Sequence, residues 1–194
     1  MKKSILPFFI FLCLNILKAQ HREVVVFFND STSLDGFGEV KNDKIYFKLE
    51  QKDKPTVFDY NSVHAIHFVG YGFIEKYEYV KSDKYKKPKI MELIEKGKVN
   101  LYAFSEIRTI DNYSSNQVNG FPVSNYKTKL IVEYFIKFPT NEIAIDIVFS
   151  FKKRVLRYFS DCPELIEKVN NKTFTKSTIP EMIYFYNDYC NDEF

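Results

Sequence analysis

The spacing of apolar residues changes near Ser150, and this change constrains the fold more than any other feature of the sequence. Before it, apolar and polar residues alternate in short runs such as residues 45–50, which is typical of half-buried strands. After it, four apolar residues recur on one helical face: Phe151, Val155, Leu156 and Phe159. Strands followed by helices predict an α+β domain. We expect an antiparallel sheet of about six to eight strands, with two or three C-terminal helices on one face or edge of it.

Residues typical of turns divide the first two-thirds of the chain into separate predicted strands. We expect strands at residues 23–28, 38–49, within 57–69, 90–104, 129–138 and 141–147, with 38–49 and 90–104 forming hairpins. The first hairpin turns at Asn42-Asp43, and the second turns at residues 95–98, where Gly97 is expected to supply a positive φ. Residues 81–89 and 111–125 are polar and are predicted to be exposed loops.

Two helices are predicted to begin at similar N-terminal capping sequences. Asp161-Cys162-Pro163-Glu164 fits a capping box, in which Asp161 accepts hydrogen bonds from the first-turn amides. Pro163 suits this position because the first turn needs no amide donor there. The pattern recurs at residues 178–181, where it opens the last helix.

The first 19 residues have the organisation of a secretory signal. Lys2 and Lys3 precede an apolar run over residues 5–17, and Ala19 offers a cleavage position. The run is short for a spanning helix of about 20 residues, so we expect no transmembrane segment after cleavage. Residues 20–194 are predicted to form a single domain, mainly strands over 20–149 and helical over 150–194. An exported chain would be periplasmic, outer-membrane-associated or secreted.

Charge argues against one class of partner. The whole chain has 28 basic and 25 acidic residues. The predicted signal holds three lysines and no acidic residue, so the mature chain is formally neutral. A general nucleic-acid binder carries a large positive excess. We therefore expect no nucleic acid among its partners.

Cys162 and Cys190 remain after signal cleavage, and in an exported chain such a pair is first interpreted as a disulfide. Cys162 opens one predicted helix and Cys190 closes another, so antiparallel packing would bring them together. A reactive thiol is the alternative, because a helix N-terminus lowers a thiol pKa. Against it, Asp161, Glu164 and Glu167 surround the sulfur with negative charge. We expect a structural disulfide.

No catalytic, metal or cofactor site emerges from the motifs. His64 and His67 are three residues apart, but on a strand this spacing sends the side chains to opposite faces. The sequence has no HExxH, GxSxG or P-loop motif. We expect no cofactor, and a non-catalytic protein is favoured over an enzyme. A run of five lysines is a candidate contact for an anionic surface, although a solvated loop also explains it: Lys81, Lys84, Lys86, Lys87 and Lys89.

Six segments of the mature chain are recognisable in this order: GEVKNDKIYFK (38–48), FDYNSVHAIHF (58–68), ELIEKGKVNLYAF (92–104), EYFIKF (133–138), YFSDCPELIEKV (158–169) and YNDYC (186–190). Together they resemble an uncharacterised family of secreted proteins from Bacteroidetes-type bacteria. The resemblance covers most of the mature chain in order, with GKVNLY (97–102) and the pair DCPEL (161–165) and YNDYC (186–190) as its most specific parts. In some relatives a similar module precedes an outer-membrane barrel, which implies work at the cell envelope. The resemblance supports Cys162 and Cys190 as a recurring structural pair and carries over no catalytic residue.

These observations lead to a functional expectation. An exported, neutral and tyrosine-rich chain without a catalytic set is typical of a binding or scaffold module for an envelope protein, glycan or lipid. A small secreted hydrolase is the first alternative, and a pocket lined by paired carboxylates would favour it. A lipid carrier is the second, and it would need an apolar cavity.

Overall fold

The computed structural model describes residues 22–70, 72–118 and 121–190, with the backbone alone for 111–118 and 121–126. The predicted signal peptide, residues 1–19, lies outside the described residues. The chain divides into two compact units, one ending at Ile74 and one beginning at Glu75, and each is described by itself. The expectation of a single domain over residues 20–194 stays a prediction.

The first unit is a five-stranded antiparallel sheet in the order β5-β1-β2-β3-β4. Its strands are β1 (Arg22–Phe28), β2 (Ser33–Lys41), β3 (Lys44–Lys48), β4 (Thr56–Phe58) and β5 (Val63–Val69). Alternate positions of these strands face the core, as the period-two pattern predicts. The largest buried side chains of the unit are Val24, Val26, Ile45, Phe47, Val63, Ile66 and Phe68.

The hairpin between β2 and β3 turns at Asn42-Asp43, as predicted. Both residues have positive φ, 52° and 57° respectively, the conformation that a two-residue type I′ turn requires. Asn and Asp tolerate this region better than other residues with side chains, because their short polar side chains bond locally. The turn therefore fixes the register of the two strands.

The second unit begins with a five-stranded antiparallel set in the order β10-β9-β8-β7-β6. Its strands are β6 (Ile74–Val80), β7 (Lys89–Glu95), β8 (Asn100–Val118), β9 (Phe121–Lys137) and β10 (Ile145–Asp146). β8 and β9 are the longest of the described strands, with 19 and 17 residues. The pairing of β7 with β8 reaches only Ala103, so the β8–β9 ladder continues past the neighbouring strand as a two-stranded arm.

Three helices follow in the described chain: α1 (Phe151–Tyr158), α2 (Pro163–Asn170) and α3 (Ile179–Tyr189). A short 3-10 turn at Lys176–Thr178 precedes α3. The helices pack on one face of the sheet, against Leu101 and Ile136. Phe151, Val155 and Phe159 of the α1 region are buried as expected. Leu156 was expected beside them but is 41% exposed, so the buried stripe of this helix is narrower than the sequence suggested.

The α+β class is therefore confirmed, but the strand number is wrong, because ten strands occur in the described chain instead of six to eight. Residues 74–80 were not predicted as a strand, since their side chains are mostly half-exposed and charged residues interrupt the alternation. Residues 111–118 and 121–125 were predicted as loop but continue the β8–β9 ladder. Pairing with a partner strand outweighs the weak β-propensity of Asn and Ser.

Two predicted local details are wrong. Cys162 is the N-cap of α2 and no side chain caps the helix, because Asp161 accepts a hydrogen bond from the Tyr186 hydroxyl instead. Thr178 likewise caps α3 without a side-chain bond. Gly97 does not have a positive φ; among the described glycines that conformation belongs to Gly72. None of the helices in the described residues is both long and apolar enough to cross a membrane.

Candidate functional site

A cavity of about 530 Å³ opens on the second unit and is lined by six charged side chains. We call it the charged pocket, and its charged residues are Asp83, Lys84, Glu133, Asp146, Arg154 and Lys176. The formal charges of these six side chains cancel. Ile131, Val132, Val148 and Phe149 supply the apolar part of the wall. The volume lies in the range of small-molecule sites, about 300–1,000 Å³.

Sheet pairing brings two acidic side chains to the floor of the charged pocket. Glu133 lies on β9 opposite Phe104 of β8, and Asp146 lies on β10 opposite Phe135 of β9. Glu133 and Phe135 are two positions apart and therefore point to the same face. Both carboxylates are buried, with exposed fractions of 6% for Glu133 and 4% for Asp146. A buried carboxylate needs cationic or hydrogen-bonding partners.

Lys84 supplies the shared cation. Its Nζ lies 2.7 Å from Glu133 Oε1 and 3.3 Å from Asp146 Oδ2. Burial opposes the charged form of the lysine, but the two carboxylates outweigh it, so the pKa of Lys84 lies above its ordinary value. The side chain therefore remains an ammonium at physiological pH. A protonated lysine can neither attack a carbonyl nor accept a proton.

Tyr85 and Arg108 are further partners of the Glu133 carboxylate. The Tyr85 hydroxyl donates to Glu133 Oε2 at 2.6 Å, and Arg108 Nη2 lies 3.3 Å from Glu133 Oε1. Burial, reinforced by the bond to Glu133, raises the pKa of Tyr85 well above its ordinary value. The phenol is therefore a fixed donor. Its ring contacts Phe104 and Phe135, with centroids 5.5 and 6.0 Å away.

Backbone bonds fix the loop that carries Lys84 and Tyr85. Ala144 N donates to Lys81 O at 2.8 Å, and Asp83 N donates to Ala144 O at 2.9 Å. Ser82 and Ala144 form an isolated parallel bridge. The loop therefore lies along the segment that enters β10, which directs Lys84 toward Asp146.

Asp83 and Arg154 form the opposite side of the charged pocket. Asp83 Oδ1 accepts from the Asp146 amide at 2.9 Å, while Asp83 Oδ2 accepts from Arg154 Nη1 at 2.6 Å. The same Nη1 donates to the Asp146 carbonyl. Asp146 Oδ1 accepts from the amides of Val148 and Phe149, at 2.9 and 3.0 Å. These bonds hold α1 and β10 against the loop.

Two groups at the mouth of the charged pocket remain accessible. Phe149 is 68% exposed, with the Arg154 guanidinium 5.7 Å from its ring centroid. Lys176 is exposed and, among the described residues, makes no ion pair or hydrogen bond. Arg154 uses Nη1 for its bonds within the described chain, which leaves the N–H groups of Nη2 and Nε for a ligand.

A second polar cluster surrounds the disulfide, which we call the disulfide corner and define by Asp161, Cys162, Tyr186, Asn187, Cys190 and the turn at 97–99. Cys162 and Cys190 are bonded, with their Cα atoms 5.5 Å apart, as predicted. Both cysteines are buried, at 5% and 2% exposure. The bond excludes the free reactive thiol that was the alternative.

Asn187 ties α3 to the hairpin turn. Its Oδ1 accepts from Val99 N at 3.0 Å, and its Nδ2 donates to Val99 O at 3.1 Å, so the amide bonds like a neighbouring strand. A Cβ at Gly97 would lie 2.5 Å from the Asn187 side chain, so close approach, not backbone angle, requires this glycine. Lys98 Nζ also donates to the Cys190 carbonyl at 2.5 Å.

The three most specific motifs of the family resemblance therefore meet in the disulfide corner. Asp161 of DCPEL accepts from Tyr186 of YNDYC at 2.7 Å, and Asn187 of YNDYC binds Val99 of GKVNLY. Their contacts explain the motifs as packing requirements. The charged pocket draws on none of these three motifs, although Glu133 lies in EYFIKF (133–138), a less specific segment of the resemblance.

The predicted lysine run separates into three environments. Lys84 enters the charged pocket, whereas the Lys89 ammonium lies over the rings of Tyr85 and Phe104, 5.3 and 5.5 Å from their centroids. Lys81, Lys86 and Lys87 are exposed. Contact of this run with an anionic surface stays a prediction.

The two described histidines, His64 and His67, do not assemble a site. His64 Nδ1 lies 3.0 Å from the Phe28 carbonyl oxygen, and the His67 ring packs against Phe27 with centroids 4.5 Å apart. No group of three or more His, Cys, Asp or Glu side chains in the described residues is arranged to hold a metal ion.

In comparisons with known proteins, no family model, curated protein or solved structure matches the chain. The sequence singled out Lys84 but not the other charged residues of the pocket. Pairs that contact one another there lie far apart along the chain; Asp83 and Arg154, for example, are 71 positions apart. The available signal was acidic residues within apolar strand runs, Glu133 in LIVEYF and Asp146 in AIDIV.

Proposed function

We propose that this protein is an exported, non-catalytic binding module of the cell envelope, and that its ligand binds in the charged pocket. The observation that carries the proposal is the contact geometry of the pocket. Lys84 contacts two buried carboxylates, Glu133 and Asp146, and the Tyr85 hydroxyl donates to Glu133. The raised pKa values of Lys84 and Tyr85 agree with this geometry. Such a pocket offers fixed donors and acceptors, which suit binding.

The hydrolase alternative has one observation in its favour, because carboxylates do line the charged pocket. A glycosidase uses one carboxylic acid as a proton donor and a second carboxylate as a nucleophile or base. Here Glu133 accepts from Tyr85 and contacts Lys84 and Arg108, while Asp146 accepts from two backbone amides and contacts Lys84. These partners already occupy both carboxylates, which suits a binding pocket better than an acid and a base free to act on a substrate. Six charged side chains also suit a lipid carrier poorly.

Export supports an envelope location. The predicted signal and the disulfide fit an oxidising compartment, and the resemblance to secreted proteins of Bacteroidetes-type bacteria implies work at the envelope. The formally neutral mature chain argues for a specific site over a broad electrostatic surface.

The test is ligand recovery from an envelope extract. The mature protein would be incubated with the extract, washed and heat-denatured, and the released small molecules identified by mass spectrometry. The test variant is Phe149→Ser with Lys176→Gln, and the matched control is Lys152→Gln, a charge loss on α1 outside the pocket. We expect one ligand to be retained by the wild type and the control and lost from the test variant.

Two results would overturn the proposal. One is equal retention by all three proteins, which would remove the charged pocket from binding. The other is turnover of glycoside or ester substrates that Glu133→Gln abolishes in a folded protein, which would make the protein a hydrolase.

A further inference from the structure

We infer that the charged pocket binds an acidic monosaccharide through its carboxylate. The inference rests on the proposed binding function and names the ligand class. Three features of the pocket support it: cations without a partner in the described chain, buried carboxylates that already have partners, and an apolar wall beside them.

The free cationic donors are at the mouth. Lys176 has no partner in the described chain, and Arg154 keeps N–H groups of Nη2 and Nε after its bonds to Asp83 and Asp146. Lys84 is 36% exposed at its side chain and has three N–H groups for two carboxylates. Charge-assisted hydrogen bonds to an oxyanion are about twice as strong as neutral ones.

The acceptors argue against a cationic ligand. Glu133 and Asp146 are at most 6% exposed and already accept from lysine, tyrosine or backbone amides. Asp83 is the accessible carboxylate, and Arg154 already neutralises it at 2.6 Å. An ammonium would therefore displace existing partners, whereas an oxyanion would use donors that are free.

The charge count favours a single negative charge on the ligand. The six charged side chains of the pocket cancel formally, and Lys176 is the one among them that contacts no carboxylate in the described residues. A carboxylate monoanion matches one such cation. A phosphate dianion would add a second negative charge close to Asp83, Glu133 and Asp146, so we expect it to bind less tightly.

The apolar wall of the charged pocket suits the C–H face of a pyranose ring. Phe149 is 68% exposed beside Val148, which gives a ring face for the C–H groups of a pyranose. Asp83, with 34% of its side chain exposed, can accept a sugar hydroxyl. A volume of about 530 Å³ accommodates a monosaccharide with its first waters.

The experiment is an NMR titration of the folded mature protein with D-glucuronate, and with its methyl ester as a neutral control of nearly the same shape. We expect glucuronate to shift the amide signals of Phe149 and Lys176, and to bind at least about tenfold more tightly than the ester, equivalent to about 1.4 kcal/mol. Lys176→Gln should lose about tenfold for glucuronate, while Lys152→Gln should lose less than about twofold.

Titrations with inorganic phosphate and glucose 6-phosphate distinguish a pocket for a carboxylate from a pocket for a phosphate group. Tighter binding of glucose 6-phosphate than glucuronate would overturn the carboxylate in favour of a sugar phosphate. Equal binding of glucuronate and its ester, or no shift at Phe149 and Lys176, would overturn the inference. If an envelope ligand is still recovered through the charged pocket in that case, the proposed function stands; if none is recovered, both fail.

Discussion

The disulfide corner and the charged pocket both belong to the second unit, yet polar groups serve different ends in them. In the corner, Asn187 replaces a strand neighbour for Val99, and Tyr186 bonds Asp161 beside the disulfide. In the pocket, Lys84 joins two buried carboxylates while Lys176 and Phe149 stay accessible. The polar groups of the corner bond one another, whereas donors of Lys176 and Arg154 at the mouth of the pocket have no bond in the described chain. We propose that loss of a corner contact lowers stability without weakening binding at the folded pocket, and that loss of an accessible group at the pocket mouth does the reverse.

Removing the disulfide should cause the largest loss of stability. The bond joins cysteines 28 positions apart. Because it restricts the unfolded chain, the Cys162→Ala, Cys190→Ala double variant should lose about 3.5 kcal/mol of unfolding free energy. Urea denaturation measures the loss, and the wild type under reducing conditions is the matched control. A loss below about 1 kcal/mol would show that the corner does not depend on its bridge.

Lys84→Met should come next. It leaves Glu133 and Asp146 buried without their shared cation, which should cost about 3 kcal/mol of unfolding free energy. Lys86→Met in the same loop is the control, because an exposed substitution changes stability by less than about 0.5 kcal/mol. Equal effects in urea denaturation would contradict the different environments that we assign to these lysines.

Asn187→Ala should cost about 2 kcal/mol, since it removes two hydrogen bonds and leaves the Val99 backbone groups without those partners. Gly97→Ala should also destabilise, because the new Cβ would meet the Asn187 side chain. Combining the two tests the contact directly: the Gly97→Ala penalty should shrink in the Asn187→Ala background. An unchanged penalty in a double-mutant cycle would argue for a backbone effect at Gly97 instead.

Alkaline pH should weaken both regions by a smaller amount. The pKa values of Tyr85 and Tyr186 are raised above the ordinary 10.0, first by burial and then by hydrogen bonds to Glu133 and Asp161. A group with a raised folded pKa binds its proton more tightly when folded. Its stabilisation is therefore complete below pH 10 and declines as the pH rises beyond it. The elevated pKa of Lys84 acts in the same direction.

The measurement is the urea midpoint between pH 9 and the highest pH at which the protein refolds. We expect a decline that is shallower in Tyr85→Phe and Tyr186→Phe, because phenylalanine does not ionise. A decline of the same steepness in both variants would show that other groups govern the alkaline range.

Of the disulfide corner, the sequence predicted the Cys162–Cys190 bridge but not the contact between Asn187 and Val99, which are 88 positions apart. Two cysteines beyond a predicted export signal indicated the bridge, and period-two and helical spacing indicated the α+β class. The charged pocket depends on pairings between residues that are distant in sequence, such as Asp83 with Arg154 and Lys84 with Glu133. No local pattern records them. The same reason explains residues 111–118 and 121–125, whose polar sequence indicates a loop until β8 and β9 are known to pair.

The separation of stability from binding is tested most directly by two variants measured in two ways. Thermal unfolding and glucuronate affinity would be determined for Asn187→Ala and Lys176→Gln. The account predicts that Asn187→Ala lowers the melting temperature and leaves the affinity of the folded protein within about twofold. It predicts that Lys176→Gln weakens glucuronate about tenfold and leaves the melting temperature unchanged. Loss of affinity in Asn187→Ala, or unchanged affinity in Lys176→Gln, would contradict it.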